Sequence, residues 1–498
     1  MTFVYKDYDG LGLATLIRNK EVTKEEVLQA AIQEIESHNG ALNAVNNKFY
    51  GDGRVPRSVE SGRFEGVPVL LKDHLQQEVS GETITSGSRV YQHYKGKVDS
   101  SFVKKLKSSG VAILGQTNIP EFALMGITEP ALHGPTRNPW NVDYTPGGSS
   151  GGSAAAVSVG MVPIAGANDG GGSIRIPAAF CGIFGLKPTR GRTPVGPSYG
   201  RNWQGASVDH VLSRTVRDSA AMLDELKTTE RGAAYQAIPF DQSYLEIMNK
   251  PMGKPLTIAY STQSPIGSDV DAECKEAVLK TAKLLEEMGH HVEEKDAPVD
   301  GAKIAKSYIH MYFGEVAASL RGMEELLGRT TRFGDVEPTT WLLGLLGRVT
   351  TAEEFVLSIQ EWDRASYQME EFHQQYDLYL TPTTAFPPSK IGELNSTGFE
   401  KVLIELVGRL GWAGLLKKAG MINQIVENSL RRTPFTQLAN LTGQPAMSAP
   451  LHLTKDGLPC GVQFIAPKGK EDILFQLAGE LERTELWLPP VYKIKNHT

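Results

Sequence analysis

The chain has 498 residues, 40% of them hydrophobic and 22% charged, which allows a large buried core and excludes a disordered or low-complexity protein. A net charge of -6 argues against a nucleic-acid binder, because neutralising phosphates needs a basic face. Three cysteines, Cys181, Cys274 and Cys460, are too few and too scattered for a disulfide framework or a zinc site, and no run of about 18 apolar residues suggests a membrane span.

The N-terminal stretch MTFVYKDYDGLGLATLIRNKE lacks a basic segment followed by a sustained apolar one, so no secretory signal is read and a cytoplasmic protein is expected. Thr23-Lys24-Glu25-Glu26 fits a capping box, and Val27, Leu28, Ala31, Ile32 and Ile35 follow at helical spacing, with Asn39-Gly40 closing the helix. Val67 to Leu71 reads as a buried strand carrying Lys72 at its end. Ser101 to Ser109 reads as a short helix before the strand Val111 to Leu114. Strands alternating with helices indicate a buried parallel sheet, whose binding residues lie at strand ends and in the loops that follow. The pattern resumes with Leu256 to Tyr260 as strand, Asp271 to Met288 as helix and a return strand from His291. From Lys303 to Arg432 the chain is mostly helical, with Glu353 to Tyr376 long and amphipathic and Leu378 to Thr381 strand-like. Phe399 to Ala419, rich in Leu, Val and Ile with Trp412, reads either as core or as the wall of a substrate funnel.

Residues 143 to 190 carry the strongest chemical signal. Two glycine-serine clusters, Gly147 to Ser153 and Gly170 to Ser173, are separated by Ala154 to Met161, long enough for two helical turns, and by the apolar Val162 to Ala165. Such clusters mark places where main-chain N–H groups converge or a ligand comes close. A lone serine after three glycines would otherwise simply end a turn.

This stretch resembles the amidase signature family, hydrolases that cut carboxamide C–N bonds with a Ser, cis-Ser, Lys triad. The family's GGSSGG is Gly147 to Gly152, its D-x-G-G-S-I-R-x-P is Asp169 to Pro177, its G-L-K-P-T is Gly185 to Thr189, and its lysine segment is Val67 to Asp73. Similarity continues through residues 115–123, 136–141, 380–388 and 435–450, nearly the whole chain. The resemblance implies an α/β fold in one domain, 1–498, with a mixed central sheet flanked by helices on both faces, a signature core at about 60–200 and a variable helical substrate side at about 303–432. It implies Ser173 as nucleophile, Ser149 as proton relay after a cis peptide bond and Lys72 as base. The N–H groups of Gly170, Gly171, Gly172 and Ser173 form the expected oxyanion hole. Ser150, Asp169 and Arg175 are supporting residues, with Ser153 beside them, and bracing is favoured over chemistry for all four. Burial must keep Lys72 neutral for part of the cycle, and Asp73 would oppose this if its carboxylate lay near. His74 stands where many relatives have Asn. No metal or other cofactor is called for.

The expected partner is a small-molecule amide, with no nucleic acid and no membrane, and a homodimer is allowed. Residues 127–141, the Ala167 to Ala178 run and residues 185–197 look most like 6-aminohexanoate cyclic dimer hydrolases, which points to cyclic or linear aminohexanoate-type amides. Two rivals stand beside this reading. One is the amidase subunit of a tRNA-dependent amidotransferase. The other takes Gly148 to Gly152 as the G-x-S-x-G of an α/β-hydrolase esterase, with Ser150 as nucleophile and His290, His291, His310, His373 or His452 as base.

Overall fold

The computed structural model describes residues 3–51, 61–395 and 429–495 and, between the last two ranges, residues 406, 408, 409, 411, 412 and 414. Its centre is an 11-stranded sheet in the order β1-β3-β2-β4-β6-β5-β10-β11-β9-β7-β8. The strands are β1 (Val45–Lys48), β2 (Pro68–Lys72), β3 (Ala112–Thr117), β4 (Ile164–Asp169), β5 (Phe184–Lys187), β6 (Val208–Ser213), β7 (Thr257–Tyr260), β8 (His291–Glu294), β9 (Leu378–Pro382), β10 (Ala446–Ala449) and β11 (Val462–Ile465). The sheet is mixed, as the family resemblance implies, and the parallel reading of the strand-helix alternation holds only within two groups of strands. β2 is parallel to β3 and β4, and β7 to β8 and β9, whereas the strands joining these two groups run antiparallel, which makes the sheet mixed.

The capping box forms as predicted: Thr23 Oγ1 accepts from the Glu26 amide at 3.1 Å, and Glu26 Oε2 accepts from the Thr23 amide at 2.7 Å. The helix does not stop at Asn39-Gly40 but runs Lys24–Leu42 to a left-handed Asn43. Asn39 acts from inside the last turn, its Oδ1 accepting from the amides of Ala44 and Val45 at 2.9 and 2.8 Å and so directing the exit into β1. The helices Ser101–Ser108, Ala272–Glu287 and Ala352–Phe372 fall where periodicity puts them.

The glycine-serine clusters flank a helix, Gly151–Val159, whose nine residues are all buried. Small side chains allow this. A Cβ on Gly152 would stand 2.5 Å from the Asn118 amide nitrogen and 2.6 Å from the Ala44 carbonyl, so the helix packs backbone-close against the β1 and β3 ends. Cys274 and Cys460, far apart in the sequence, lie with Sγ atoms 3.3 Å apart in the core, both as free thiols. No helix among the described residues is long and apolar enough to cross a membrane.

Candidate active site

Three neighbouring strand ends bring the polar groups together. β2 and β4 are parallel in the register Val69↔Ile164, so Lys72 and Asn168-Asp169 leave the sheet on the same side. β6 enters antiparallel with Asp209 opposite Asn168. Lys72, fully buried, donates from Nζ to Ser149 Oγ at 2.8 Å and to the Asn168 carbonyl at 3.2 Å. Burial lowers its pKa from 10.5 to about 7, against the opposing charges of Asp209 and Asp169. A lysine so placed is a neutral amine for much of the time at neutral pH and accepts a proton.

The carboxylates acting on Lys72 are therefore not the one sequence proximity suggests. Asp73 turns away, accepting from the Thr85 amide at 2.8 Å, from the Thr85 hydroxyl and from Asn46 Nδ2 at 2.7 Å. Asp209, for which no motif spoke, accepts from Gln77 Nε2 at 3.1 Å, and burial raises its pKa to about 6 against the hydrogen bonds of Gln77 and Asn168 and the charge of Lys72.

The peptide bond between Gly148 and Ser149 is cis. Ser149 and Ser173 line one cavity of about 180 Å³, together with Gly170 and Gly171. The loop from Gly170 to Ser173 is fixed from behind. Asp169 accepts from the Gly172 and Ile174 amides at 2.7 and 3.2 Å and from Arg175 Nε and Nη2 at 2.9 Å each. The Gly171 carbonyl accepts from Thr436 Oγ1 at 2.6 Å and Gln437 Nε2 at 3.1 Å, so both polar ends of the peptide between Gly171 and Gly172 are engaged. The Gly172 N–H, expected among the oxyanion donors, is instead directed at Asp169. Gly172 has φ +127°, and a Cβ there would stand 2.5 Å from Thr436 Oγ1.

Asp169 and Arg175 form a buried ion pair behind the loop. Burial pushes the Asp169 carboxyl up, but the charge and hydrogen bonds of Arg175 outweigh it and hold the group well below the usual carboxylate range. Arg175 also donates to Asn440 Oδ1 at 2.6 Å, the Thr436 carbonyl at 2.9 Å and Gln463 Oε1 at 2.5 Å. Ser150 donates from Oγ to the Asn168 carbonyl at 3.3 Å, and its amide donates to the Ser173 carbonyl at 3.3 Å. Ser153 donates to the Gly166 carbonyl at 2.7 Å.

The histidine-based rival lacks its geometry among the described residues. His310 pairs with Ser358, His373 with the Tyr376 carbonyl, His290 with the Leu256 amide and His452 with Glu273, while His291 lies on the exposed strand β8. None reaches Ser150.

A family model described as Amidase matches residues 26–475. The chain belongs to the amidase family. Among curated relatives, a lipoamidase of Enterococcus faecalis is 36% identical over 96% of this chain, which spans 63% of that protein's length. A 6-aminohexanoate-cyclic-dimer hydrolase of Pseudomonas sp. (strain NK87) is 34% identical over 96% of this chain and 95% of its own length. The solved structure of a 6-aminohexanoate cyclic dimer hydrolase superposes with a TM-score of 0.87 at 32% identity, covering 98% of this chain and 99% of that one. The chain is accordingly an enzyme that hydrolyses amide C–N bonds other than peptide bonds.

The segment from Lys303 to Arg432, expected to wall this amidase's pocket, supplies Tyr308, Tyr312 and Phe313 from the helix Gly301–Leu327 and Leu343 from the helix Pro338–Val349. Phe122, from the 115–123 stretch, lines the cavity too, as do Leu124 and Trp203, which no motif singled out. Phe399 to Ala419 lies largely outside the described residues; within it Leu406 and Trp412 are half exposed. His74 borders the same cavity. Burial, then the charge of Lys72, pushes its pKa down to about 3, so it is neutral, and its Nδ1 has no hydrogen-bond partner among the described residues.

Proposed function

We propose that this amidase works through a serine acyl-enzyme. Ser173 Oγ attacks the amide carbonyl carbon while its proton passes to Ser149 Oγ and the Ser149 proton passes to neutral Lys72 Nζ. The oxyanion accepts from the Gly170, Gly171 and Ser173 amides, each donor of this kind lowering the barrier by roughly 3 kcal/mol. Collapse breaks the C–N bond as the proton returns through Ser149 to the leaving nitrogen. Water then enters by the same relay and releases the acid. The observation that carries this reading is the fully buried Lys72, its pKa lowered to about 7, donating to Ser149 at 2.8 Å beside the cavity that Ser173 lines.

For substrate we propose aminohexanoate-type amides, cyclic or linear. Support comes from the name borne by the relatives of like length and from a cavity walled mainly by Leu124, Tyr308, Tyr312, Phe313 and Trp203, which suits methylene chains. Intact-mass detection of a fluorophosphonate adduct, mapped by peptide digestion, tests the nucleophile: the label belongs on Ser173, and a label on Ser150 refutes the assignment. Turnover of cyclic and linear aminohexanoate oligomers against short aliphatic amides and aryl anilides tests the substrate class, and a clear preference for the anilides would refute it.

A further inference from the structure

The cavity at Ser173 opens beside a larger one. His74, Phe122, Leu124 and Trp203 line it and also line a second chamber of about 610 Å³. The second chamber's wall includes the run Asn202, Trp203 and Gln204, of which Trp203 is shared, three consecutive non-glycine residues with φ of 22°, 54° and 53°. L-residues enter that region at a cost, so the surroundings must hold them there. Each has such a hold. Asn202 Oδ1 accepts from Gln76 Nε2 at 3.1 Å, Trp203 meets Tyr312 edge-on with centroids 4.9 Å apart, and Gln204 Nε2 donates to Glu315 Oε1 at 2.8 Å.

Glu315 stands on the helix Gly301–Leu327, next to the turn that carries Tyr308 and Tyr312 into the first cavity, and it faces the second chamber. Its hydrogen-bond donor among the described residues is a neutral amide. Burial raises its pKa and Gln204 alone works against that, with no basic side chain contributing. The chamber's one arginine among the described residues, Arg201, turns elsewhere: its guanidinium lies over the Tyr235 ring at 5.7 Å and donates to the Tyr235 hydroxyl at 3.4 Å. A half-buried carboxylate with one neutral donor has capacity for a cationic one, and charge-assisted hydrogen bonds are the strong ones.

Apolar residues such as Leu75, Val316 and Met323 make up much of the remaining lining, and its other polar side chains include Gln76, Ser86 and Asn202. The Gln76–Asn202 pairing leaves Gln76 Oε1 and Asn202 Nδ2 without hydrogen-bond partners among the described residues, and Ser86 Oγ has none there. Turning both carboxamides over would again leave one donor and one acceptor, so this character does not depend on how the amides are oriented.

We propose that the second chamber binds an alkylammonium group carried by the substrate, with Glu315 as its counter-ion, while the scissile amide lies at Ser173. The substrate class is then an amide with an ω-aminoalkyl chain on one side of the bond. The proposal rests on the reading of Ser173 as nucleophile and adds to it the recognition of a charged chain end.

Two matched substrate pairs test it at pH 8. One pair is 6-aminohexanoyl against heptanoyl p-nitroanilide; the other is one acyl group on 1,6-diaminohexane against the same group on heptylamine. Each pair differs only by an ammonium in place of a methyl. Wild type is expected to favour the ammonium member of one pair, and Glu315→Gln to reduce that preference in kcat/KM by about tenfold or more, the effect of one hydrogen bond to a charged group. Glu315→Lys should reverse it. An unchanged preference in Glu315→Gln, or no ammonium preference in either pair, overturns the proposal. Fluorophosphonate labelling separates the two readings: variants that label at Ser173 with an unchanged preference sink the chamber assignment alone, whereas wild type that does not label there sinks the nucleophile.

Discussion

Replacing Lys72 with methionine should make the protein more stable while abolishing its activity. The side chain is fully buried, and its pKa falls from 10.5 to about 7, mainly through burial. At pH 7 the unfolded lysine is protonated and the folded one is about half so, a difference that destabilises the wild type by about 4 kcal/mol at roughly 1.4 kcal/mol per pH unit. Methionine fills a similar volume and removes that term. Against it stand the lost hydrogen bonds to Ser149 Oγ and the Asn168 carbonyl, worth about 1 kcal/mol each. The Asn168 carbonyl still accepts from Ser150 Oγ, so it is not orphaned. The balance is a gain of about 1–3 kcal/mol at pH 7. The pH dependence has a definite sign. Because the folded pKa is depressed, the unfolded state binds the extra proton between about 7 and 10.5, and wild-type stability rises with pH across that window. Lys72→Met lacks this rise, so its advantage should shrink by roughly 3 kcal/mol between pH 7 and pH 9.5. Urea midpoints of both proteins at the two pH values measure it, since the other titrating groups are common to both. A methionine variant less stable than wild type at pH 7, or a gap equal at both pH values, would refute the reasoning.

The same lysine sets the pH profile: kcat/KM should climb on an acid limb near pH 7 as Lys72 loses its proton and stay high through pH 9, and a maximum near pH 5 in folded enzyme would contradict it. Ser173→Ala should remove the fluorophosphonate adduct, and the double variant Ser149→Ala/Lys72→Met should turn over little more slowly than the poorer single variant, because one relay is broken only once; multiplicative losses would argue for separate roles. Arg175→Met should lower stability by about 3–5 kcal/mol by leaving Asp169 buried without its partner, and a change under about 1 kcal/mol in the urea midpoint would show that the pair does not hold the loop.

What the residue order made legible was local. The glycine-serine clusters, Lys72 at the end of an apolar strand and the Asp169 to Arg175 run each sit within a few residues of the element that positions them. Long-range partners were not legible. Asp209 reaches Lys72 only because β6 pairs antiparallel with β4, and strand order is not written in any short segment. Asp73, adjacent in sequence but past the end of β2, is taken up by Thr85 and Asn46, residues of other segments. The Gly172 amide was counted as an oxyanion donor because glycines suit that role, yet the carboxylate three residues earlier takes it. The second chamber shows the same limit, since Glu315 sits in a helical stretch without a motif and gains meaning only from the wall it shares with Trp203 and His74.

Burial accounts for the different roles proposed here, a lysine as base and an arginine as brace. Both side chains are fully buried, but their surroundings differ. Arg175 faces the Asp169 carboxylate at 2.9 Å and three further oxygens of Thr436, Asn440 and Gln463, acceptors that match the fork of donors on a guanidinium. Lys72 meets only a hydroxyl and a carbonyl, with its carboxylates acting from a distance, so the cheaper course is to release the proton. Lowered pKa alone does not make a base, as Lys187 demonstrates. It too is buried and drawn down to about 7, by burial and the charge of Arg175, yet its Nζ donates to the Pro188 carbonyl and it lines neither chamber. What separates the two lysines is the serine hydroxyl at 2.8 Å from Lys72, which gives a neutral amine a proton to take from the cavity beyond.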